Sequence, residues 1–380
     1  MTARSTSEVV AGFTHDAHPA RVVFGVDAHR TELLPELERL RARAILILAS
    51  ESQSEVAEEL TLAMPGFRPR SLGFTRGKGA AERRSRARAL AACEGVDCLV
   101  AVGSGAVIRA AAELAWQAAI PLIVLPTSYA GAEFDALMAA SHGRGRTRRS
   151  ARADPRVVIY DPTLTVGLPD HITGRSAMLA LANGVGVLCT PEASPVAAMM
   201  AEEGIRQIAD SALDAILHPR GLIGRSRTQY GGYLIASALA VTAPGPHRMA
   251  VTAVAQACRL RHSDLGTVLL PHLLAATGEL RPLDLAHVAG AIGHNDAVRG
   301  VCELSGDLGA PQSLRELGMA PASLSSAIEA VRDNTAAVRD TGLDPDVLAT
   351  LVENAYDGRN PGVPGPPGTS HTAHPTQEGW

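Results

Sequence analysis

Two histidines are the groups in this chain best suited to moving protons: His247, inside Pro246-His247-Arg248, and His262, fifteen residues further on. An imidazole titrates near pH ~6.5, so either ring can act as acid or base around neutrality. Arg248 beside His247 carries a planar fork that can hold a carboxylate in a bidentate pair. A plainer account treats His247 as a helix-start residue after Pro246 and His262 as a structural histidine.

A second group is Gly103-Ser104-Gly105-Ala106, which follows an apolar run and opens a helical pattern. A glycine turn at a helix start lets backbone N–H groups approach a phosphate at the positive end of the helix dipole. Arg109 could meet that phosphate or face solvent. A third group, Thr127, Ser128 and Tyr129, follows the next apolar run and offers hydroxyls to a cofactor or substrate. The same hydroxyls would equally serve a proline-initiated turn, and Tyr129 could be a packing residue.

These groups need a scaffold, and the 380 residues are enough for two domains. Apolar residues make up 46%, charged 19% and aromatic 3%, so the core must be built from aliphatic side chains. A net charge of −4 gives no basic field, and nucleic acid is not an expected partner. The basic run from Gly143 to Arg149 reads as a solvated loop, since no aromatics are interleaved with it. Five cysteines without a CxxC pair read as small buried hydrophobes in a reducing compartment. No long apolar stretch or signal segment is present, so a cytoplasmic protein that does not engage membranes is expected.

Continuous apolar runs at residues 21–25, 44–49, 71–74, 98–102, 121–125 and 156–160 alternate with helical patterns at 33–40, 54–64, 80–93 and 106–118. Uniformly apolar strands separated by helices predict a Rossmann-like, doubly wound parallel sheet covered on both faces. From Leu164 the strand signals stop and helical patterns run to Leu351, which predicts an all-α second domain. The expected divisions are a flexible start (1–17), a dinucleotide-binding-type α/β domain (18–162), an all-helical domain (163–360) and a disordered Pro/Gly-rich tail (361–380).

Several long segments carry a resemblance. They are Phe13 to Gly25, Asp97-Cys-Leu-Val-Ala-Val-Gly103, Leu125-Pro-Thr-Ser-Tyr-Ala-Gly-Ala-Glu133, Asp154 to Pro169, Leu269-Leu-Pro-His272 and Ser313-Leu-Arg-Glu-Leu-Gly-Met319. They resemble the maleylacetate reductases of the iron-containing alcohol dehydrogenase and dehydroquinate synthase-like superfamily, over about residues 13–361. The resemblance implies NAD(P)H bound by the first domain, a substrate cleft against the second, a homodimer, and hydride transfer to a small oxo acid or its unsaturated form.

The departures are specific. The family's glycine turn precedes a helix carrying Lys, where this chain has Ala112, so a positive charge near the phosphates is expected to be missing. The family's metal ligands match Leu179, Asn183, Val251 and His262, and one ligand in four cannot hold Fe²⁺ or Zn²⁺. No metal is therefore expected. Hydrogen bonds from His247, Arg248, His262 and Tyr129 would take over the catalytic work, with Gly103, Ser104, Gly105, Ala106, Thr127 and Ser128 holding the nicotinamide nucleotide. The alternative is a repurposed member catalysing a metal-free cyclisation, elimination or isomerisation; a non-catalytic partner subunit is a third reading.

Overall fold

The apolar runs of the first half form six strands in one sheet in a computed structural model. It describes residues 13, 15, 20–74, 80–134, 154–243, 245–258, 260, 262–278, 282–333 and 343–361. The basic run 143–149, most of the 1–17 start and all but Pro361 of the predicted tail lie outside these residues.

The strands are β1 (Arg21–Phe24), β2 (Ala44–Ser50), β3 (Arg68–Phe74), β4 (Cys98–Gly103), β5 (Leu122–Pro126) and β6 (Val157–Tyr160). Every pairing is parallel, in the order β1-β6-β5-β4-β2-β3. Residues 44–49 of β2 and all of β4 and β5 are buried on both faces, as their unbroken apolar sequences predicted. Burying each large aliphatic side chain is worth about 1.5–3 kcal/mol, so these central strands anchor the domain. β3 is longer than the expected 71–74. It is an edge strand with a largely polar sequence, so its first residues carry little apolar signal.

Helices α1 (Ala28–Thr31), α2 (Leu33–Arg39) and α3 (Ser54–Leu62) pack on one face of the sheet, with α4 (Ala80–Ala92) and α5 (Gly105–Ala118) on the other. From residue 170 onward the described residues contain helices and no strand: α6 (Asp170–Leu188), α7 (Pro195–Leu217), α8 (Leu222–Ala240), α9 (Pro246–Cys258), α10 (His262–Gly278), α11 (Pro282–Ile292), α12 (Ala297–Asp307), α13 (Pro321–Asp333) and α14 (Pro345–Asp357). Their starts follow capping rules. Ser194, Asp296 and Asp344 accept amide hydrogen bonds at N-caps, and proline occupies an early position in α7 and α14. Among the described residues no helix is long and apolar enough to cross a membrane.

The two halves meet along α8. Gly232 lies so close to the β5 loop that a Cβ there would stand 2.6 Å from the Tyr129 carbonyl oxygen, and a Cβ on Gly131 would stand 2.8 Å from that of Ala236. The carboxyl ends of β5 and β6 are therefore pressed onto this helix.

Candidate functional site

The first wall of the site is the carboxyl edge of the sheet. β4 ends at Gly103, whose φ of 154° suits glycine, and Ser104 then takes an extended conformation as the N-cap of α5. The Ser104 side chain makes no capping hydrogen bond; its carbonyl accepts from the amides of Val107 and Ile108. The Thr127 amide donates to the Gly103 carbonyl at 3.1 Å, which ties the β5 loop to the glycine turn. Gly103, Ser104, Gly105, Ala106, Thr127 and Ser128 thus lie along one edge, with Thr127 and Ser128 buried.

One expectation about this wall is corrected. Ala112 is buried in the packing between α5 and the sheet, so no cation stands there. One turn earlier, however, the Arg109 guanidinium folds back over the glycine turn: a Cβ on Gly105 would lie 2.9 Å from its Nη1. A cation therefore stands beside the glycine turn, from a different position on the same helix.

The second wall comes from α6 and the start of α9. Along α6, Ile172, Arg175, Leu179 and Asn183 are half-buried at helical spacing, while most residues between them are buried. They form the open stripe of an otherwise packed helix. Arg175 at its upper end pairs with Asp264 of α10 at 2.5 Å. At the lower end Asn183 and Gly186 line a hollow with Leu239 of α8 and with Gly245, His247 and Arg248. Gly245 allows this approach, since a Cβ there would collide with Thr190 Oγ1 at 2.0 Å. A Cβ on Gly186 would lie 3.9 Å from His247 Nδ1. The enclosed space is about 10 Å³, which suits roughly one water. Residues carrying an amide, an imidazole and a guanidinium therefore line this one small hollow.

His247 and Arg248 are thus brought together as their adjacency suggested. Asn183 joins them, although the sequence comparison treated it only as a lost ligand. The side chain of His262, the first residue of α10, lies outside the described residues. Tyr129 does not line the hollow: it is buried in the domain junction, where its hydroxyl donates to Thr165 Oγ1 at 3.2 Å and accepts from Arg225 Nη1 at 3.3 Å. Burial pushes the Tyr129 phenol above its ordinary pKa, against the opposing influence of Thr165 and Arg225, so it stays protonated. This geometry matches the packing account of Tyr129.

The residues at the ligand positions do not fit a metal ion. Val251 is wholly buried among hydrocarbon, and Leu179, on the open stripe, presents a side chain with no donor atom. Asn183, at a position that the resemblance matches to a family imidazole, carries a neutral amide. Structural and catalytic sites for Fe²⁺ or Zn²⁺ need about three protein donors.

Residues 19–162 match the iron-containing alcohol dehydrogenase domain, and residues 174–356 match the C-terminal domain of the Fe-containing alcohol dehydrogenase family. The chain is 34% identical over 355 residues to a maleylacetate reductase of Burkholderia cepacia, covering 92% of this chain and 99% of that protein. The crystal structure of maleylacetate reductase from Agrobacterium tumefaciens superposes with a TM-score of 0.80 at 27% identity, covering 93% of this chain and all of that one. A sulfoacetaldehyde reductase from Bifidobacterium kashiwanohense, solved in complex with NAD+, shares the fold (TM-score 0.75, 15% identity, 91% and 99% covered).

Proposed function

We infer the function from one premise: the chain belongs to the iron-containing alcohol dehydrogenase family, among its maleylacetate reductase-like members. We propose that it is an NAD(P)H-dependent reductase that acts without a bound metal on a small oxo acid or its unsaturated form. The observation that carries this reading is that Asn183, His247 and Arg248 line one hollow, with Asn183 at a position that the sequence resemblance matches to a metal ligand of the family.

The carboxyl edge fits a dinucleotide. Gly103 and Gly105 keep the turn free of side-chain bulk, the α5 N-terminus offers amides, and Arg109 adds a cation over Gly105. A bound reduced nicotinamide would supply the hydride. The protein's own groups then have two tasks. In this reading the hollow, which has room for about one water, widens when substrate binds. Arg248 then orients the substrate through its carboxylate, and Asn183 and His247 donate hydrogen bonds to the oxygen that gains negative charge. His247 is positioned to pass a proton to that oxygen, a role worth about 10²–10⁴ in rate. His262 is proposed as a second proton donor from the start of α10.

A homodimer is proposed as well. Among the described residues β1 pairs with β6 alone and forms an edge of the sheet, and beside it Phe24, Val26 and Tyr230 are exposed. An uncovered edge next to apolar surface favours pairing with a second copy, which light scattering of the purified chain would register as twice the monomer mass.

The functional test follows NADH and NADPH oxidation with maleylacetate and related oxo acids, in wild type and in His247→Ala. We expect turnover by the wild type and a loss of about a hundredfold or more in kcat for the variant. Substrate conversion that proceeds with no nicotinamide present would overturn the redox reading in favour of an elimination or isomerisation.

A further inference from the structure

Arg225, in the first turn of α8, is wholly buried, and among the described residues no Asp or Glu pairs with it. Its guanidinium instead reaches three separate segments. Nε donates to the Pro219 carbonyl at 2.8 Å, and Nη1 donates to the Thr165 carbonyl at 2.5 Å and to the Tyr129 hydroxyl at 3.3 Å. The network continues from Tyr129 to Thr165 Oγ1, which donates to the Pro162 carbonyl at 2.8 Å. One turn along α8, the buried Gln229 amide faces the carbonyls of Pro126 and Asp161, each at 3.5 Å. Apart from Pro219, in the loop before α8, these acceptors are the last residue of β5, its following loop, and the turn that follows β6.

A buried guanidinium cannot shed its proton and is costly without a counter-charge, so a hydrophobic residue of similar volume would serve simple packing better. What arginine adds is a rigid fork with donors in fixed directions. The far end of the same helix lines the donor hollow through Leu239, fourteen residues on, or about 21 Å at ~1.5 Å rise per residue. One helix therefore touches both walls of the crevice: the β5 and β6 loops at its start, and the Asn183–His247–Arg248 hollow at its end.

We infer that Arg225 is a positioning residue, which fixes α8 against the ends of β5 and β6 and so sets the distance between the nucleotide edge and the donor hollow. The inference rests on the reductase reading for its kinetic consequence, because hydride transfer demands a near-attack geometry that small displacements destroy. Its structural content stands apart from that reading. Arg225 touches neither the glycine turn nor the hollow, so its loss should act more on catalysis than on cofactor affinity.

The experiment compares full-length wild type with R225M, R225K and Y129F by amide hydrogen exchange, NADH fluorescence titration and turnover. In R225M we expect at least tenfold faster exchange in peptides covering 126–132 and 161–166, at least a tenfold fall in kcat, and a rise in Kd for NADH smaller than the fall in kcat, because the glycine turn and Arg109 keep their places. R225K and Y129F should fall between wild type and R225M, and they carry the same comparison if R225M does not fold. Unchanged exchange in these peptides overturns the inference, as does wild-type kcat in variants that merely melt at a lower temperature. Should the wild type itself fail to oxidise NADH, the reductase reading fails and the exchange data alone decide the role of Arg225.

Discussion

Removing Arg109 should weaken the nicotinamide nucleotide without touching the chemistry. The guanidinium lies over Gly105, at the turn where the dinucleotide phosphates are proposed to sit. A hydrogen bond to a charged group contributes about 1.5–3 kcal/mol net. Arg109 is half-buried, so solvent screening places it toward the lower end, and ~1.5–2 kcal/mol corresponds to about a 10- to 30-fold rise in Kd. Fluorescence titration of Arg109→Ala with NADH at low ionic strength should show that rise, with kcat at saturating cofactor nearly unchanged. Arg109→Lys should recover part of the affinity as a point charge, and the gap between wild type and alanine should narrow as salt is added. A Kd within twofold of wild type at low salt would refute the assignment of Arg109 to the phosphates.

Two further outcomes follow from packing and burial. Gly232→Ala would push a methyl group to 2.6 Å from the Tyr129 carbonyl oxygen; overpacking of this kind costs about 1–3 kcal/mol, which urea denaturation should register despite alanine's better helix propensity. His272 in α10 is buried, and burial depresses its pKa to about 4. The unfolded chain therefore takes up the proton first, and stability falls as pH drops from ~6.5 toward 4, by about 3 kcal/mol in all. His272→Leu should remove that loss, so the two stability curves converge near neutrality and part below it. Parallel curves across this window would contradict the burial argument.

The sheet was legible because β2, β4 and β5 are short unbroken apolar runs that alternate with helical patterns, as doubly covered parallel strands do. The edge strand β3 was seen only in part, since a strand exposed along one side carries mixed polarity. His247 and Arg248 were readable from residue type and adjacency. Asn183 was not, because an asparagine within a helix signals nothing until Gly245 brings α9 against α6. Arg109 was visible as a cation with two possible fates, and its place beside Gly105, which favours the phosphate one, arises only from the fold of the turn. Arg225 left no signal at all: in sequence it is one of several arginines near the start of a helix, and its partners at Tyr129 and Thr165 lie 96 and 60 residues away in the chain.

The central claim is that this family member reduces its substrate without a metal, using Asn183, His247 and Arg248 where relatives would use a metal ion. The most direct test measures NADH oxidation with maleylacetate on protein dialysed against a strong chelator, with bound iron and zinc quantified by elemental analysis in the same sample. The account predicts undiminished kcat at metal contents far below one per chain, and no gain on adding Fe²⁺ or Zn²⁺. Activity that disappears with the metal and returns on its addition would contradict it.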